Sequence, residues 1–272
     1  MGELTIRTRK AGAGLAWVRA GLRLFARRPV VLVVMVAFGF LVTWTVSMLP
    51  LAGTGLALVL VPATSLGMLA VCRAVEQDAA PSLANYAEAL RDPFARLQLL
   101  KMGVVYAIVI GLVGTAWSLV PEGVPDPAQA LGGAAGAPGA AATPPVNITP
   151  ARALLALGAL LVIIPLEMSL WFAPALGAWH AMRAGKALFF SFFACWRNRA
   201  ALLVYVLALS GIVFLGAMAF ASLIALLNIN EGVAIYVLAP LPLTLLAISK
   251  TCALAMYRDL VSETDTGSVV SP

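Results

Sequence analysis

Apolar runs long enough to cross a bilayer recur along the chain, separated by short polar links. About 20 apolar residues suffice for a helical span. Residues 30–48 form the first run and 56–75 the second, with Pro62 inside it. The third covers 97–120. The fourth, about 152–176, contains Pro165, Glu167 and Pro174. The fifth is 200–226, and the sixth, 232–256, holds Pro240, Pro242 and Lys250. Proline is tolerated inside a span where neighbours satisfy the freed carbonyl. The pattern predicts an all-α, polytopic bundle of about six transmembrane helices. The first run imitates a secretory signal, but no cleavage site follows and further spans do, so it is read as retained.

The segments between the runs have their own periodicity. From 11 to 28, Leu15, Val18, Leu22 and Phe25 share one helical face, and Arg19, Arg23 and Arg27 another. This is an amphipathic segment suited to an anionic membrane surface or serving as a topology signal. A short helix is expected from Ser82 to Arg91, with Ser82 as N-cap behind Pro81. In 185–198, Phe189, Phe192, Phe193 and Trp196 share a face opposite Ala187, Ser191, Ala194 and Asn198. Its fourteen residues cover only about 21 Å, against a core of roughly 30 Å. A helix lying in the interface is expected, not a seventh span. The chain thus reads as three rough copies of a surface helix, a span out and a span back, with a proline in each return.

Composition agrees with this frame. Of 272 residues, 62% are hydrophobic and 11% charged, and the mean hydropathy is +0.97. Soluble domains carry roughly 25% charged residues. Charge placement sets the orientation. With the N-terminus inside, the inner segments hold seven, four, four and two basic residues in turn, leaving only Arg152 outside. The positive-inside rule then puts both termini in the cytoplasm. The formal charge of +6 lies beside apolar runs, not in one patch, which argues against a nucleic-acid partner and for anionic headgroups. Three parts follow: a basic segment 1–28, a membrane domain 29–257 and a polar tail 258–272 expected to be disordered. Within the domain, 20 of residues 121–150 are Gly, Ala or Pro, an outer loop with no core of its own. Its sequon at Asn147 is a weak match.

Candidate chemistry concentrates in 165–198. The string Trp171, Pro174, Trp179, His180, Lys186, Ser191, Cys195, Asn198, with Trp17, Gly21, Phe25 and Pro29 upstream, resembles the signature of an uncharacterised, locus-tag-named family of proteobacterial inner-membrane proteins. The resemblance covers most of the chain apart from the outer loop and tail. It implies a bacterial inner-membrane protein of this size and carries no assigned activity or catalytic residue.

Glu167 is the one acid well inside a span, and Lys250 lies at similar depth. An intramembrane charge is costly and is a functional candidate by default. It serves equally well in a structural pair, Glu167 with Lys250 or Lys101. His180 is a candidate proton shuttle, or a satisfied interfacial side chain. Cys72, Cys195 and Cys252 form no cluster with histidine, so no metal site or other cofactor is expected, and the thiols should be reduced. No catalytic motif appears, and Ser191 has no His/Asp frame nearby in sequence. The expectation is a non-catalytic interaction or organising protein. The alternative is a small transporter or channel using Glu167 and Lys250. A packed, dry bundle favours the first, and a cavity reaching Glu167 the second.

Overall fold

A computed structural model describes residues 3–120, 149–227 and 240–264. The outer loop at 121–148, the turn at 228–231, the start of the sixth run and residues 265–272 lie outside the described residues. The order is β1 (Glu3–Ile6), α1 (Ala13–Arg27), α2 (Pro29–Ser47), α3 (Gly53–Glu76), α4 (Leu83–Arg91) and α5 (Pro93–Leu119). Then come α6 (Pro150–Leu170), α7 (Ala173–Trp179), α8 (Ala184–Arg197), α9 (Arg199–Leu226), α10 (Pro240–Leu260) and β2 (Val261–Thr264). Among the described residues six stretches are long and apolar enough to cross a membrane: α2, α3, α5, α6 with α7, α9 and α10. The all-α membrane architecture is therefore as the hydropathy pattern requires.

The described chain divides into two units. The smaller, residues 108–165, holds the far end of α5 and most of α6. Inside it, Arg152 donates to the Val120 carbonyl at 3.3 Å and lies 5.8 Å over the Trp117 ring. The larger unit holds residues 1–107 and 166–272 and carries the core.

That core gathers at the basic end of the bundle. Leu66, Leu69, Val71 and Val75 of α3 are buried there, with Cys252, Leu254, Met256 and Leu260 of α10. Farther along, Phe214, Leu215 and Leu207 of α9 stay exposed. In lipid such exposure costs nothing, because acyl chains are as apolar as leucine. Helix association must then come from close contact between backbones, and small residues supply it. A Cβ at Gly21 of α1 would collide with Cys252, and one at Gly14 with the Ala201 carbonyl. A Cβ at Gly103 of α5 would strike the backbone of Val59 in α3.

Helix α1 packs on α9 and α10 through Gly14, Trp17, Val18, Gly21 and Leu24. This packing face is distinct from the Leu15–Val18–Leu22–Phe25 face expected to meet the membrane, although Val18 belongs to both. Leu15 is exposed, and the two glycines shift contact toward Trp17. The termini meet above this packing. β1 pairs antiparallel with β2, Glu3 opposite Thr264 and Ile6 opposite Val261. The segment from Arg258, expected to be a disordered tail, finishes α10 and adds this strand through Thr264.

The short helix α4 forms where expected. Asn85 Oδ1 accepts from both the N–H and the hydroxyl of Ser82 at 2.9 Å. Its placement is deeper than the sequence suggests. The Tyr86 ring fills notches at Gly39 of α2 and Gly67 of α3. Gly39 lies ten residues past Pro29, about 15 Å at the helical rise. That is about half the depth of a bilayer core.

Gly103→Leu is expected to lower folded yield several-fold, read as the monodisperse fraction in detergent. Gly111→Leu, where no described residue lies within 4 Å of the added Cβ, should leave the yield unchanged. Equal yields for the two would show that the α3–α5 approach is dispensable.

Candidate functional site

The fourth span is broken. α6 ends at Leu170 and α7 starts at Ala173, with Trp171 and Phe172 between them. Pro174 has no N–H to donate to the Leu170 carbonyl one turn back. In an unbroken helix the Phe172 N–H would donate to the Met168 carbonyl. Here it donates to Ser191 Oγ at 2.9 Å, and that hydroxyl donates to the Met168 carbonyl at 2.8 Å. Ser191 is completely buried. Its hydroxyl is inserted into the helical ladder, a recognised cause of a helix break. The polar stripe of α8 is thus the inward face, while Phe189, Phe193 and Trp196 remain exposed.

Three further side chains fix this region. Gln98 of α5 is buried and accepts from the Ala184 N–H at 2.8 Å, capping α8. Asn198 accepts from the Arg9 N–H at 2.7 Å and donates to the Arg7 and Ala194 carbonyls. Asp259 receives the Arg9 guanidinium at 2.5 Å and the Trp17 indole N–H at 2.9 Å. Cys195 is buried beside them, and burial pushes its thiol up to about 12.

Beside the break lies a cavity of about 500 Å³. Its walls come from α2, α3, α6 and α10, with Tyr86 from α4 and Tyr106 from α5. Most of the lining is apolar, Val36, Leu58, Val61 and Leu69 among it. Both Glu167 and Lys250 reach it. Glu167 Oε1 accepts from the Tyr106 hydroxyl at 3.2 Å. Lys250 Nζ donates to Ser65 Oγ at 2.8 Å. Among the described residues no ion pair within 4.0 Å joins the two. The direct pair open to them on sequence grounds is not formed: each charge takes a neutral hydroxyl instead. Among the described residues the Trp171 indole N–H, on a lining residue, is buried without a hydrogen-bond partner.

The remaining candidates lie elsewhere. Lys101 is exposed on α5 and does not line the cavity. His180 Nε2 is 2.7 Å from the Tyr257 hydroxyl. Tyr257 also meets the Trp179 ring edge-on at 5.2 Å, and the Arg73 guanidinium lies 5.1 Å over Trp179. Lys186 sits 5.6 Å over Phe190. Among the described residues no cluster of metal-ligating side chains occurs.

Over 265 residues the chain is 29% identical to a probable inner membrane protein of Burkholderia thailandensis strain E264, covering 96% of each. That relative too carries a locus-tag name, as the string at 171–198 led us to expect. The chain is a polytopic inner-membrane protein. No family model and no solved structure matches it.

Glu167→Gln and Lys250→Met are expected to couple only partially in detergent unfolding, by about 0.5–3 kcal/mol as for side chains that share a cavity, so that the double variant keeps most of the summed losses. Recovery of single-mutant losses in the double variant would show a direct pair.

Proposed function

We propose that this inner-membrane protein is a non-catalytic carrier that binds a small solute in the cavity reached by Glu167 and Lys250. One observation carries the reading: two opposite charges line a single cavity at a broken helix without meeting. Ligand pockets typically measure about 300–1,000 Å³ and are mostly apolar with a few placed polar groups. Transporter sites are often built where a spanning helix is interrupted near mid-membrane. The organising-protein reading depends on a dry, packed interior, and the cavity weighs against it. The exposed Phe189, Phe193 and Trp196 do not require a protein partner. With Lys186 and Arg197 on the same helix, they suit a headgroup layer containing anionic lipid.

In this reading both termini lie in the cytoplasm, because 17 of 18 basic residues then fall on the inner side. A phosphatase reporter, active only outside, is expected to give signal when fused after Leu119 and none after Arg183. Strong activity at Arg183 would reverse the orientation.

Solute access is tested by cysteine labelling. Thr43 and Ser249 line the cavity, and Val34 is an exposed residue of α2 outside its lining. Thr43→Cys and Ser249→Cys are expected to react with a charged, membrane-impermeant thiosulfonate. Val34→Cys should stay unmodified in lipid. The native thiols are all buried, so background should be low. Cavity cysteines that stay unreactive from both membrane faces would show the space to be dry, and the carrier reading would fall.

A further inference from the structure

We infer that the cavity takes a zwitterion with an apolar body, an α-amino acid or short peptide, whose carboxylate meets Lys250 and whose ammonium meets Glu167. This rests on the carrier reading above and names its ligand.

The argument is one of charge and spare capacity. An unpaired charge at mid-membrane costs about 2.5–3.5 kcal/mol on insertion scales. Two opposite charges in one cavity would offset that cost best by direct contact, since a charge-assisted bond is roughly twice as strong as a neutral one. They do not touch. Lys250 spends one of three donors on Ser65, and Glu167 takes one bond from Tyr106. Both therefore keep unused capacity toward the same cavity.

Each simpler ligand class leaves something unsatisfied. A monoanion bound at Lys250 faces the Glu167 carboxylate. A monocation bound at Glu167 faces the Lys250 ammonium. A neutral molecule matches neither charge. A zwitterion answers both, and the apolar walls at Val36, Leu58, Val61 and Leu69 suit an aliphatic body. The orphan Trp171 N–H is a further donor on the same wall.

The full-length protein in lipid nanodiscs is titrated calorimetrically with leucine, leucyl-leucine, 4-methylpentanoate and 3-methylbutylamine. The same four probes are tested for protection of Thr43→Cys from labelling. Leucine or its dipeptide should bind at least tenfold more tightly than either single-charge analogue. Whichever of the two wins sets the length of the ligand. Lys250→Met should abolish preference for the carboxylate, and Glu167→Gln should bring the zwitterion down to the level of 4-methylpentanoate. Lys250→Arg and Glu167→Asp, which keep the charges, should retain measurable preference if the neutral variants fold poorly. Equal binding of 4-methylpentanoate and leucine would make this a monoanion site and overturn the inference. Equal binding of the amine and leucine would overturn it the other way. Labelling of Thr43→Cys that no probe blocks, with no probe binding, would sink the zwitterion while leaving an open cavity. Absence of labelling would instead sink the carrier reading beneath it.

Discussion

The Ser191 hydroxyl stands where the helical hydrogen bond between Phe172 and Met168 would otherwise be. Much of the bundle's inner half depends on that substitution. A spanning helix cannot leave an N–H and a carbonyl unpaired in hydrocarbon, where each costs several kcal/mol. One serine supplies both an acceptor and a donor, so the chain can break at Trp171–Phe172 and restart at Ala173. The break puts Trp171, one turn from Glu167, and Pro174 beyond it on the cavity wall. It also ties α8 to the fourth span at a buried point. An alanine at 191 would leave two buried backbone groups unmet, each worth about 1–3 kcal/mol.

The same economy governs the basic end. Arg9, Trp17 and Asp259 bring together residues about 250 positions apart, and Asn198 binds the backbone of the N-terminal segment from the end of α8. These are side chains completing backbone or charged groups that no regular element satisfies. The apolar helices gain little by burying leucine from lipid. Polar clamps and glycine contacts therefore decide which helices meet.

This explains what the sequence displays and what it conceals. Span number and apolar periodicity are local properties, so all six spans and the two-faced α8 are legible. Glu167 and Lys250 stand out because charge inside a span is rare. Their separation is not legible, since it depends on Tyr106 and Ser65 offering nearer partners. Gln98 and Asp259 carry no periodic signal, and the stripe that holds Ser191 does not name its partner, because each acts on a residue at least 19 positions away. In α1 the alternation of leucine and arginine marks a face suited to the membrane and says nothing of the face that packs on protein. Glycine adds nothing to an apolar count, yet Gly14 and Gly21 set the contact. A search for paired small residues four or seven apart beside an aromatic would have found it.

Tyr86 shows why a polar link can be part of a membrane core. A nine-residue helix has too few turns to span, and its first backbone N–H groups lack helical partners. At mid-depth these would be costly unless protein covers them. Asn85 turns back on Ser82, and the Tyr86 ring enters the space left by Gly39 and Gly67, edge-on to Phe38 at 5.6 Å. The glycines give up side-chain packing within their own helices so that a third element can enter between α2 and α3. Tyr86 lines the cavity with Lys250 and Glu167, so the insertion forms part of the cavity wall.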